Sequence, residues 1–193
     1  MSLRRDLELI ADWVAPGSHV LDLGCGDGTL LAHLADTKSV TGYGIEIDPD
    51  NIARCIARGV DVIHSDLDRG LQDFQDDGFD YVIMTQSLQA LHFPVRVLEE
   101  MLRIGREAIT SFPNMGHWKC RLQLALSGHM PVTRSLPHRW YDTPNIHLCT
   151  VRDFERLCAE QGYHILRRAA VARHHRTNPG ARLLPNLHGE SAL

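Results

Sequence analysis

Residues 19–28, His-Val-Leu-Asp-Leu-Gly-Cys-Gly-Asp-Gly, constrain the fold of this 193-residue chain more than any other stretch. A run with the character of a buried strand, His19 to Leu23, passes directly into three glycines at every second position. Thr29 to Ala35 then carries helical spacing. Glycines in such a turn permit positive φ and let a ligand lie against bare backbone. Strand-to-helix turns are also where open α/β sheets bind their ligands. The spacing is G-x-G-x-G, not the G-x-G-x-x-G of a dinucleotide site. Asp22 and Asp27 bracket the loop, whereas a pyrophosphate favours a helix N-terminus free of carboxylates. A ligand bearing an ammonium or sulfonium charge fits this loop better than one bearing phosphates.

The same alternation continues to about residue 112 and predicts a parallel sheet wound with helices. A helix is expected around Leu7, Ile10 and Val14, stopped by Pro16-Gly17. Strands are expected over Val40 to Ile47, Val60 to His64, Phe79 to Thr85 and Glu107 to Phe112. Asp48 is placed to cap a helix over Asn51 to Arg58, with Pro49 near its start. A helix from Pro94 is expected to bury Val95, Leu98, Met101 and Leu102. After Pro113 the pattern changes: residues 114–150 are rich in His, Trp, Pro and Asn, with one helical piece near Lys119 to Leu126. A helix over Phe154 to Gln161, closed by Gly162, and a sixth strand over Tyr163 to Val171 complete the regular pattern. The last twenty residues read as loop. Length and the lack of any linker predict one domain over 1–193, with an insertion at about 114–150.

Acids stand at the ends of the predicted strands. Glu46, twenty residues after Gly26, can accept hydrogen bonds from both hydroxyls of a ribose. Asp66 and Leu67, after the third strand, can offer a purine ring a polar contact and an apolar wall. Glycine loop, Glu46 and Asp66 in this order point to a nucleoside-containing ligand, although each acid alone could be a helix cap. The order resembles the class I S-adenosylmethionine-dependent methyltransferase fold over residues 5–112. That resemblance implies a three-layer, Rossmann-like α/β architecture with a mostly parallel seven-stranded sheet and an antiparallel last strand. It also implies S-adenosylmethionine or S-adenosylhomocysteine bound by Asp22, Gly24, Cys25, Gly26, Asp27 and Gly28 around the methionine part. Glu46 and Ile47 would lie at the ribose, Asp66 and Leu67 at the adenine, and Gln86 beside them.

Four segments carry a narrower resemblance: Thr41 to Asp48, Met84 to Ala90, Phe112 to Trp118 (Phe-Pro-Asn-Met-Gly-His-Trp) and Trp140 to His147 (Trp-Tyr-Asp-Thr-Pro-Asn-Ile-His). Together they are similar to the MetW family of bacterial methionine biosynthesis proteins. The last two are the specific ones, because generic methyltransferases do not share them. The resemblance implies association with homoserine O-acyltransferase, which such proteins support or regulate; a cytoplasmic location is expected from the cysteine pattern and the N-terminal residues. Family members continue past the segment matching Gly189 to Ser191. The final strand is therefore expected to be very short or cut off at Leu193.

For methyl transfer the protein mainly aligns the acceptor and excludes water. The acceptor face is expected at Gln86, Gln89, His92, Asn114, His117 and Trp118, with Trp140, Tyr141, Asn145 and His147 from the insertion. His117 is the candidate catalytic base, against a purely structural reading of the same residue. The aromatics could line a pocket or simply pack the insertion. The alternative function is an active methyltransferase on a small molecule. No Asn/Asp-Pro-Pro-Tyr/Phe motif follows the fourth strand, and no nucleic-acid recognition motif is evident, which disfavours a nucleic-acid substrate. No four-ligand set with zinc-like spacing is present, so no metal is expected. Five cysteines without a C-x-x-C pair indicate a reducing compartment. No signal peptide or membrane-span pattern is found.

Charge is uneven. Residues 1–100 hold 7 Lys+Arg against 18 Asp+Glu, and residues 101–193 hold 13 against 6. The basic half, including Arg173, Arg176 and Arg182, is expected to face a partner or an anionic substrate.

Overall fold

The computed structural model describes residues 3–133, 135–171 and 191–192, in two compact units, Met1–Thr110 and Ser111–Leu193. The charged positions Arg173, Arg176 and Arg182 and most of the predicted C-terminal loop lie outside the described residues.

In the first unit, the strand-like run of residues 19–23 is β1 (His19–Leu23), flanked by β2 (Thr41–Glu46) and β4 (Phe79–Thr85). Both pairings are parallel, with Leu21 opposite Tyr43 on one side and Val82 on the other. Beyond β2 lies β3 (Val62–His64), also parallel, and beside β4 lies β5 (Gly105–Pro113). Strands covered on both faces read as continuous apolar runs. Val20, Leu21, Leu23, Val82, Ile83 and Met84 are accordingly all fully enclosed.

Helix α1 (Arg5–Trp13) precedes β1, and α2 (Thr29–Lys38), α3 (Pro49–Ala57) and α4 (Pro94–Ile104) fall between successive strands in sequence. Their ends follow from local chemistry. The Asp48 carboxylate accepts from the Asp50 N–H at 2.8 Å, with Pro49 at the first helical position. Lys38, in the last turn of α2, donates to the carbonyls of Ala11 and Val14 that α1 leaves open.

Two expectations need correction here. Helix α4 buries Val97, Leu98, Met101 and Ile104, whereas Val95 is half-buried and Leu102 is exposed. Residues 97, 101 and 104 share a face at helical spacing with 98, and that set displaces the rival one. β3 is shorter than Val60 to His64, because the Val60 N–H turns back to the Cys55 carbonyl and closes α3.

In the second unit, the C-terminal end of β5 pairs antiparallel with β7 (Ser191–Ala192), Phe112 opposite Ala192. β7 pairs in turn with β6 (Ala170–Val171). Helix α5 (Trp118–Ser127) follows β5, and α6 (Val151–Gln161) starts at a capping box in which Thr150 and Asp153 bond reciprocally. Buried Asn114 accepts from the N–H groups of Gly116 and Val151, and the Phe112 ring meets Phe154 at 4.9 Å. The predicted sixth strand shrinks to Ala170–Val171. Among the described residues β6 has Ser191–Ala192 as its pairing partner, and Ile165 and Leu166 are exposed.

Candidate functional site

The chain order places β2 and β3 to one side of β1 and β4 to the other, so the strand order reverses between β1 and β4. Ligands of open α/β sheets bind outside the carboxyl ends of the strands at such a switch point. The glycine loop lies there. The N–H groups of Gly24 and Cys25 both donate to the Ile45 carbonyl, at 2.8 and 3.1 Å, which ties the loop to the end of β2. Gly24 has φ 69°, and a Cβ on it would stand 2.7 Å from Ser87 Oγ, so the loop also lies close against the exit of β4. Cys25 is buried over Gly44, where any side chain would collide with its sulfur. At the exit of β4, Gln86 takes φ 61°, a left-handed conformation that a non-glycine residue holds only at a cost.

The three acids around this loop stand in different circumstances. Asp22 is 1% exposed, and its Oδ1 has no hydrogen-bond partner. Burial, reinforced by the charge of Glu46 and opposed by Arg4, pushes its carboxyl up to about 7. Glu46 is buried too but richly partnered. Its Oε2 accepts from the Gly26 N–H at 2.8 Å, and its Oε1 from the N–H groups of Ile47 and Asp48 at 2.8 and 2.9 Å. A carboxylate has about four acceptor positions, so Glu46 retains capacity for a further donor. Asp27 departs from the expectation of a second free anion. Arg58 forms an ion pair with it at 2.6 Å, and Thr29 donates to it from both hydroxyl and backbone. Burial raises the Asp27 carboxyl, but the bonds from Thr29 and Arg58 outweigh that and hold it below its ordinary range. Of the two loop carboxylates, Asp22 is therefore the one lacking a counter-charge contact.

After β3, Asp66 caps a short 3-10 turn, Leu67–Arg69, accepting from the Asp68 N–H at 3.0 Å. Leu67 is half-buried and Ile47 exposed. A link not apparent from sequence joins this turn to the segment after β4. The Asp68 carboxylate accepts from the backbone N–H groups of His92 and Phe93 and meets His92 Nδ1 at 2.7 Å. Burial raises the Asp68 carboxyl, yet these bonds hold it below its ordinary range. In sequence Asp68 is one more acid in an acidic stretch, and only the approach of the two loops gives it a partner.

In the second unit, buried His117 is the N-cap of α5, its Nδ1 accepting from the Lys119 N–H at 3.3 Å. Trp140 and Tyr141 meet edge to face at 5.7 Å and are both exposed, so they are not packed into a core. Among the described residues, no three His, Cys, Asp or Glu side chains gather as a metal site. No helix there is long and apolar enough to cross a membrane.

A family model described as methionine biosynthesis protein MetW matches residues 4–193. The bifunctional methionine biosynthesis protein MetXA/MetW of Rhodopirellula baltica is 39% identical over 169 residues, covering 83% of this chain. The chain spans only 27% of that relative's length. Among solved structures, an S-adenosylmethionine-dependent methyltransferase from Mesorhizobium loti superposes with TM-score 0.66 at 18% identity, covering 96% of this chain and 97% of the other. A SAM-dependent methyltransferase from Archaeoglobus fulgidus gives TM-score 0.66 at 14% identity, covering 97% and 89%. The fold is thus the α/β methyltransferase fold, and the chain belongs to the MetW family.

Proposed function

We propose that this chain binds S-adenosylmethionine or S-adenosylhomocysteine at the switch point and acts with, or regulates, homoserine O-acyltransferase. The observation that carries the ligand reading is Asp22, a buried carboxylate oxygen with no partner at the head of a glycine loop. Such an atom is costly to leave unpaired, and an ammonium group of the ligand's methionine part would satisfy it. Gly24, Cys25, Gly26, Asp27 and Gly28 would enclose that part. Glu46 and Ile47 would hold the ribose, Asp66 and Leu67 the adenine, with Gln86 beside them. When bound, S-adenosylmethionine supplies an electrophilic methyl group on a sulfonium. The partner reading is supported by the Rhodopirellula baltica relative, whose name joins MetXA to MetW in one chain. A downstream product of the pathway bound here would report supply, because ligand and partner affinities are linked reciprocally. A cytoplasmic location accords with five cysteines that include no C-x-x-C pair.

Two measurements test this reading. Titration calorimetry with S-adenosylhomocysteine is expected to give saturable one-to-one binding. Co-expression with the acyltransferase of the same organism is expected to give co-elution and a changed acyltransferase rate. Heat-free titrations would remove the ligand part, and separate elution with an unchanged rate would remove the partner part.

A second reading, an active methyltransferase on a small molecule, is favoured by the Asp68–His92 pair. Asp68 engages His92 Nδ1, which leaves Nε2 as the ring nitrogen able to take a proton from an acceptor. Transfer of a labelled methyl group into cell metabolites, lost in His92→Ala, would establish it. Its absence from every metabolite fraction would leave the regulatory reading alone.

A further inference from the structure

Apolar residues on a short helix belong against a core, yet most of α5 does not follow that pattern. Over its ten residues only Cys120 is buried. Trp118, Leu122 and Leu126, at successive intervals of four, form one stripe along the helix. They are 43%, 48% and 78% exposed. At 100° per residue this stripe lies well away from Cys120, the side by which α5 is held. A tryptophan, the largest apolar side chain, is therefore placed on the outside of the molecule rather than in its core. Lys119 Nζ stands 5.8 Å from the Trp118 ring centroid, placing a cation at the border of the stripe.

We propose that the Trp118–Leu122–Leu126 face of α5 is the surface on which homoserine O-acyltransferase docks. This rests on the partner reading above and adds the place. The relative supplies the argument for the occupant. The matched region is 27% of its length, and its name joins MetXA to MetW in one chain. A region joined covalently to its partner meets it at high effective concentration, so a small apolar face such as this one suffices to hold it. The α5 stripe has the composition of an interface centre, a tryptophan flanked by leucines with charge at the edge.

The test uses the full chain and the acyltransferase of the same organism. Affinity is measured by calorimetry or surface binding for wild type, the double variant Leu122→Asp/Leu126→Asp, and Ile56→Asp. Ile56 is an exposed apolar residue of α3 that serves as a matched control. The double variant is expected to lose at least about 30-fold in affinity, with Ile56→Asp unchanged. Binding of S-adenosylhomocysteine and the melting temperature report whether each variant is folded, and Leu126→Ser offers a milder change at the most exposed position. If wild type binds and both stripe variants bind equally well, this surface is wrong while the partner reading stands. If wild type does not bind, the partner reading falls and takes the surface with it. If light scattering instead shows wild type alone to be a dimer and the double variant a monomer, the stripe covers a second copy, and the proposal is overturned.

Discussion

The two units treat apolar side chains differently. Among the described residues through 110 the exposed large hydrophobics are Ile47, Ile56, Ile63, Phe93 and Leu102, whereas those of 111–171 include twelve. The first unit is a sheet-and-helix core whose polar atoms converge on one switch point. The second places tryptophan, tyrosine and leucine outward on a helix and an irregular insertion. Scattered exposed hydrophobics need no explanation, but concentrated ones mark interaction surfaces. The difference teaches that the first unit buries its apolar side chains and gathers polar groups at the switch point, whereas the second leaves many apolar side chains exposed; the proposed ligand and partner sites follow that division.

Equal deletions in the two units should separate most sharply. Leu98→Ala, in the buried face of α4, should cost about 2–5 kcal/mol of stability, and Leu126→Ala on α5 less than about 0.5 kcal/mol. Chemical denaturation of both variants measures this, and similar losses would erase the contrast.

Asp22→Asn comes next. It should weaken S-adenosylhomocysteine binding by about 1.5–3 kcal/mol, the range for hydrogen bonds to charged groups. It should leave the melting temperature of the ligand-free protein unchanged or raised, since it removes a charge that burial disfavours. Unchanged affinity would detach Asp22 from the ligand.

Gly24→Ala should destabilise by about 1–3 kcal/mol from the left-handed backbone alone. A further loss from the approach to Ser87 Oγ should be recovered in Gly24→Ala/Ser87→Gly. Failure of that rescue would mean the two do not meet.

A further expected effect is in pH, where stability and ligand affinity should change in opposite directions. Because the folded Asp22 carboxyl is raised from 3.8 to about 7, its contribution to stability is full below pH about 4 and is lost as pH rises through 7. Affinity for an ammonium-bearing ligand should run the other way, rising toward pH 7 and levelling above it. Calorimetry at pH 5.5, 7 and 8.5 tests the sign, and in Asp22→Asn this part of the slope should vanish.

Much of the first unit was legible because its signals are local. The glycine loop, the strand runs and the Asp48-Pro49 cap each depend on neighbours within a few residues. What could not be read depends on distant approach. Arg58, thirty-one residues along the chain from Asp27, neutralises one of the two carboxylates expected to face a cation. Asp68 gains its role from His92, twenty-four residues away. The burial of α4 turned on a choice between two overlapping apolar sets, which periodicity alone does not decide. The second unit was less legible still. Strand propensity over 163–169 finds no partner ladder among the described residues, and exposed Trp140 carries the same letters as a buried one.

Glu46 has a thermodynamic consequence of its own. By accepting from Gly26, Ile47 and Asp48 together, it makes the backbone of the loop and that of the β2 exit parts of one rigid cradle. The ordering entropy of that cradle is met when the chain folds, not when a small molecule arrives. For the nucleoside ligand proposed above, weak contacts would then add up to useful affinity, and a Gln at this position, offering a single acceptor oxygen, would return part of the entropy to the binding step.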